Sequence, residues 1–140
     1  MHAPTAAPTL AALFSPTPRG ARRARLLAVH QLAAWGIPRT TATAEAVAVV
    51  TAELAANAAV HGRHPGRCFR LRLRLMEHVV RIEISDARPE RPLPTAAPPG
   101  PVHPESDRGR GLVLVAAFAE RWGCFQADAV VKTVWAEVRR

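Results

Sequence analysis

The 140-residue chain reads as a domain of the α+β class. Two segments in its first half carry apolar residues at helical spacing, and two segments after them alternate apolar with charged residues in the manner of an antiparallel hairpin. A composition of 49% hydrophobic and 21% charged residues excludes wholesale disorder, and the length suits one core that needs no disulfide or metal staple.

Residues 1–18 are rich in Pro, Ala and Thr and are expected to be a flexible segment with room for a short edge strand. They lack the basic start and unbroken apolar run of a secretory signal, and the Arg22-Arg23 pair is followed by an apolar stretch that His30 and Gln31 interrupt. A cytoplasmic chain is therefore expected. A first helix is predicted from Arg19 to Trp35, with Leu26, Val29 and Ala33 on its apolar side and Gly36 and Pro38 ending it. A second runs from Thr43 to His61, with Thr43 as cap, Glu45 at the positive end of the dipole, and Gly62 and Pro65 as stop. Its buried stripe is Val47, Val50, Leu54 and Ala58. The Glu45, Glu53 and Asn57 side chains in this segment make a membrane span too costly.

Phe69, Leu71, Leu73 and Leu75 then alternate with Arg70, Arg72 and Arg74, Glu77-His78 turns the chain, and Val80, Ile82 and Ile84 alternate with Arg81, Glu83 and Ser85. The charged side of this hairpin can pair Arg with Glu across the ladder. Asp86 continues the buried set, so its carboxylate either starts a turn or meets a hydrogen-bond donor on the apolar side. Seven prolines between Ala87 and Arg108 exclude a regular element there. Gly109 and Gly111 then precede a helix carrying Leu112, Val115, Ala116 and Ala119, closed near Trp122-Gly123, and glycines at that place let a phosphate approach free N–H groups. Val130 to Val138 reads as a last strand, with Lys132 and Thr133 near its start.

Cys68 and Cys124 form no Cys-x-x-Cys unit, which suggests neither a zinc site nor a disulfide framework and fits a reducing compartment. The net charge of +8 points to an acidic partner, a polyphosphate ligand or nucleic acid. The basic residues are scattered and not interleaved with stacking aromatics, which argues against nucleic acid. The Arg70, Arg72, Arg74 and Arg81 face is expected to be solvated surface or a docking surface for an acidic protein. If it bound nucleic acid instead, steep salt dependence would follow.

Glu53 and Asn57 are the most informative pair. Four residues apart, they lie one above the other on one helix face, beside the buried stripe and not opposite it. Either they are exposed polar residues, or they put a proton acceptor and a metal ligand at the lip of the core.

In order, Glu53-Leu54-Ala55-Ala56-Asn57 through His61-Gly62, Ile84-Ser85-Asp86, Gly109-Arg110-Gly111-Leu112 and Thr133-Val134-Trp135-Ala136-Glu137 resemble the motifs of the GHKL ATPase superfamily over residues 19 to 138. The chain is most similar to the stand-alone branch of anti-sigma-factor serine kinases. The resemblance implies a two-layer α/β sandwich whose sheet is mixed but mostly antiparallel, with helices on one face and ATP held between the layers. It further implies an ATP-binding domain over residues 19–140 with a lid at 87–108. Asn57 would bind Mg2+, Glu53 would be the general base, Asp86 would accept from the adenine amino group, and Thr133 would support the adenine end near Asp86. Gly109, Arg110, Gly111 and Leu112 would meet the phosphates, while His61 and Arg108 either touch phosphate or are structural. The partners implied are a sigma factor, an anti-sigma antagonist whose serine is phosphorylated, and a second copy in a homodimer. In place of the fuller Asp-x-Gly-x-Gly the chain has Asp86-Ala87-Arg88-Pro89, which is bulkier and stiffer. This departure keeps open a non-catalytic module that docks without transferring phosphate.

Overall fold

Residues 6–61, 68–87, 107–126 and 131–140 are described by the computed structural model. They form strand β1 (Thr9–Phe14), helices α1 (Pro18–Ala34) and α2 (Ala42–His61), strands β2 (Phe69–Leu75) and β3 (Val79–Ala87), helix α3 (Asp107–Phe118), and strands β4 (Arg121–Gln126) and β5 (Val131–Arg139). The strands make one sheet in the order β1-β2-β3-β5-β4, and every pairing is antiparallel, so the expected mixed sheet is in fact purely antiparallel among the described residues.

The hairpin alternation sorts the two sheet faces as expected. Phe69, Leu71 and Leu73 of β2 and Val80, Ile82 and Ile84 of β3 are buried on the side that α2 covers, where they join Val47, Val50, Leu54 and Ala58 of α2 in one core. The α2 stripe is wider than predicted, since Ala44, Ala55 and Ala59 are buried as well. A helix apolar over so much of its circumference is a central one, and α2 packs against α1 and α3 as well as the sheet.

The first helix buries a different face from the one predicted. Ala21, Ala24, Ala28 and Leu32 are buried, whereas Leu26 is 50% exposed and Ala33 also faces solvent. Both sets have helical spacing, and the alanine set wins because small side chains let α1 approach α2 closely. Thr17 caps α1, its hydroxyl accepting from Gly20 N–H at 3.0 Å, with Pro18 in the first turn. Gly20 packs against the incoming chain: a Cβ there would lie 1.9 Å from the Ser15 carbonyl oxygen. Gly20→Ala is therefore expected to shift the β1–α1 connection and cost about 1–3 kcal/mol, read by urea denaturation.

The α2 cap is likewise displaced from the prediction. Thr41, not Thr43, accepts from the Ala44 N–H at 3.2 Å, while Thr43 donates its hydroxyl to the Arg139 carbonyl at 3.1 Å and ties the helix start to the end of β5. Two further differences concern the third helix. It begins at Asp107, so Gly109 and Gly111 lie inside its first turns and not before it, and Ala116 is exposed. Packing of Val115 in the core and of Ala119 against it outweighs the glycines' poor helix propensity. Trp122 and Gly123 do not close the helix but belong to β4, an edge strand the sequence reading missed.

The face of the sheet away from the helices holds a charged network. Arg81 donates from Nε to Glu83 Oε2 at 2.8 Å and from Nη1 to Glu137 Oε2 at 3.0 Å, and Arg121 donates from Nε to Glu137 Oε1 at 3.0 Å. Glu83 and Glu137 are buried beneath these arginines. The Trp135 ring belongs to the same network, with the Arg81 guanidinium over it at 4.3 Å from the centroid and Gly123 so near that a Cβ there would sit 3.1 Å from the ring. Across the hairpin, where the sequence anticipated Arg–Glu pairing, only Arg72 approaches Glu83, at 4.0 Å; the closer pairs lie within β3 and across to β5, and the carboxylates are enclosed and not solvated.

Burial alone would push the Glu137 carboxyl up; the hydrogen bonds and charges of Arg121 and Arg81 outweigh burial and hold it below the usual glutamate range. Its contribution to stability is thus complete above the unfolded value of about 4.3 and is lost as pH falls through the lower folded value. Glu137→Gln is expected to destabilise the fold by about 1–2 kcal/mol at pH 7 and by progressively less as pH falls through the lowered folded value, as urea titrations across that acid range would show.

Candidate functional site

Asp86 is the penultimate residue of β3, and its parity with Ile82 and Ile84 puts the side chain on the helix-covered face, where it is 9% exposed. A turn-starting Asp would project into water. This one lies in a paired strand, in register with Lys132, and β3 continues through Ala87 opposite Val131. Of the two readings open for Asp86, the structure realises the inward one.

Glu53 and Asn57 occupy the second half of α2, both half-buried, with buried Leu54, Ala55 and Ala58 between and beside them. They are neither on an open solvent face nor in the core, which is the boundary placement their spacing suggested. Helix α2, which carries the expected amide position, packs on β3, which carries the acidic one, and against α3, which carries the glycines.

The N–H groups of the first turn of α3 remain unpaired within the helix and carry its positive dipole end. Leu112 is half-buried and Val115 fully buried, which anchors the helix beside α2. The side chains of His61, Arg108 and Arg110, and residues 88–106 of the expected lid, lie outside the described residues.

Thr133 takes a place that the spacing did not reveal. It is opposite Ser85 in the ladder, with the two hydroxyls 2.8 Å apart, and parity turns both side chains to the sheet face away from Asp86. Thr133 is 3% exposed, so this pair is a buried brace behind the strand end that bears Asp86. Any help it gives at an adenine end passes through the β3 and β5 backbones.

The donor set fits a magnesium nucleotide. A carboxamide oxygen from Asn57 is a hard ligand of the kind Mg2+ accepts when nucleotide phosphates and water supply the rest, and a carboxylate on the apolar side of a strand is a ready acceptor for an exocyclic amine. No three His, Cys, Asp or Glu converge as a metal cage among the described residues. A depression of about 510 Å³ lined by Met76, Glu77, His78, Val79, Glu120, Arg121 and Glu137 lies at the opposite end of β3 and includes none of these positions. No helix among the described residues is long and apolar enough to cross a membrane.

The family model of the histidine kinase-like ATPase domain matches residues 14–136, which includes every element from the end of β1 into β5. No curated protein matches the chain.

Proposed function

Since the chain belongs to the histidine kinase-like ATPase family, and so carries an ATP-binding domain of the GHKL type, we propose that it is a regulator that transfers the γ-phosphate of Mg-ATP to a serine of an antagonist protein and alternately sequesters a sigma factor. The observation that carries this reading is Asp86, a carboxylate held on the covered face of the sheet at the end of a strand against which α2 packs. In this role Asp86 accepts a hydrogen bond from the adenine amino group. Asn57 holds the magnesium ion, which neutralises charge on the phosphates, and the first turn of α3 receives the phosphates on its backbone N–H groups. Glu53, one turn before Asn57, takes the proton from the attacking serine hydroxyl as its oxygen bonds the γ-phosphorus and the bond from that phosphorus to the β,γ-bridging oxygen breaks, with ADP leaving.

Asp86 also gives the reading a specificity test. Guanine carries a carbonyl where adenine carries its amino group, so Asp86 favours ATP over GTP by a lost hydrogen bond plus an acceptor–acceptor clash. Calorimetric titration is expected to show at least about tenfold preference for ATP, and Asp86→Ala is expected to remove the preference. Equal affinities in the wild-type chain would contradict the assignment.

One observation favours a second reading, a module that binds nucleotide and docks on its partner without transferring phosphate. Strand β3 runs on through Ala87, paired with Val131, at a place where glycines would let the backbone close around the base. Mg-ATP binding without turnover, with or without a protein partner, would select this reading over the kinase.

A further inference from the structure

The face of the sheet turned away from the nucleotide layer carries six arginines, at 70, 72, 74, 81, 121 and 139, against the two glutamates Glu83 and Glu137. The carboxylates are already engaged. Arg81 and Arg121 hold Glu137, and Arg81 also holds Glu83, which Arg72 reaches only at 4.0 Å. Arg70 and Arg74 make no ion pair among the described residues, and Arg74 stands directly opposite Arg81 in the ladder. The Arg74 Nε is buried and has no hydrogen-bond acceptor among the described residues. Two like charges side by side and an orphaned guanidinium nitrogen are both unfavourable unless an anion joins them.

From this we infer that the open face, along β2, is a docking surface for an acidic polypeptide segment whose carboxylates pair with Arg70, Arg72 and Arg74. Alternate residues of β2 repeat about every 6.6–6.8 Å on this face, the repeat of alternate side chains in an extended chain laid alongside it. Guanidinium groups pair carboxylates with two parallel hydrogen bonds, which gives the match direction as well as charge.

A polynucleotide fits less well. The Trp135 ring is already engaged by Arg81, which leaves Phe125 as the one exposed aromatic on this face among the described residues, where stacking recognition needs a series. Glu83 and Glu137 also set negative charge into the middle of the patch. The surface is separate from the nucleotide layer, so this inference stands or falls independently of the proposed kinase activity.

The test is fluorescence anisotropy of the full chain with three labelled probes: a twelve-residue peptide alternating glutamate and serine, its glutamine–serine counterpart, and a twelve-nucleotide oligodeoxythymidine. The glutamate peptide is expected to bind at low salt more tightly than the other two. R70E/R74E is expected to weaken it at least about tenfold, and R22E/R23E, an equal charge change on the exposed side of α1, by less than about twofold. Should the reversed-charge chain melt early, R70Q/R74Q decides, with at least about threefold weakening expected. Equal losses in the β2 and α1 variants, tighter binding of the oligonucleotide, or no binding of the glutamate peptide would overturn the inference.

Discussion

Glu53→Gln is expected to lower phosphoryl transfer from Mg-ATP by about 10²–10⁴-fold while leaving Mg-ATP affinity within about threefold. The substitution keeps the shape of the side chain and removes only its ability to accept a proton. The half-buried position on α2 makes the separation of effects sharp, since the residue is close to the layer boundary without being part of the packed stripe that includes Leu54. Single-turnover release of inorganic phosphate reads the basal reaction, in which water takes the place of the partner serine. An unchanged rate would remove Glu53 from the general-base role and leave it as a boundary residue of the helix.

Asn57→Ala is expected to act at a different step. With magnesium present, ATP affinity should fall tenfold or more, each factor of ten being about 1.4 kcal/mol; with magnesium chelated, wild type and variant should bind ATP alike. The comparison isolates the metal, because a loss seen equally in both conditions would mean that the truncation had disturbed the helix. Asn57 is half-buried between buried Ala55 and Ala58, so thermal melting should move little. Calorimetric titration with and without chelator measures both arms. Under the proposed assignment Asn57 is the α2 position that any ATP-dependent role requires, whereas Glu53 matters only where chemistry proceeds.

The parts of the fold legible in the sequence were those in which one face is fully buried. The period-two pattern from Phe69 to Ile84 fixes strand parity, and parity alone puts Asp86 on the covered side. The α2 stripe was readable for the same reason. Where two apolar patterns compete on one helix the sequence is ambiguous: Leu26, Val29 and Ala33 have the same spacing as Ala21, Ala24 and Ala28, and only the close contact with α2 selects the smaller set. Edge strand β4 was hidden because Gly123 looks like a helix stop, yet its lack of a side chain makes room for the Trp135 ring.

The site was legible as a set of elements and not as a set of distances. Glu53, Asn57 and Asp86 could be read as boundary or inward positions from local pattern, but the packing of α2 on β3 is a relation between segments about thirty residues apart, for which local periodicity carries no signal. Thr133 marks the limit of motif reading. Its position in the chain suggested the adenine side, while the one-residue offset of its register with Ser85 turns it to the other face. The enclosed Arg81–Glu137–Arg121 group escaped for a related reason, since alternation signals which face is charged but not that the charges bury one another.

The most direct measurement is a structure of the chain with Mg2+ and a non-hydrolysable ATP analogue. The expected result is the adenine amino group within hydrogen-bonding distance of Asp86, about 3 Å, and the Asn57 carboxamide oxygen on magnesium at about 2.1 Å. An adenine bound away from Asp86, or a nucleotide seated outside the boundary between α2 and the sheet, would contradict the account.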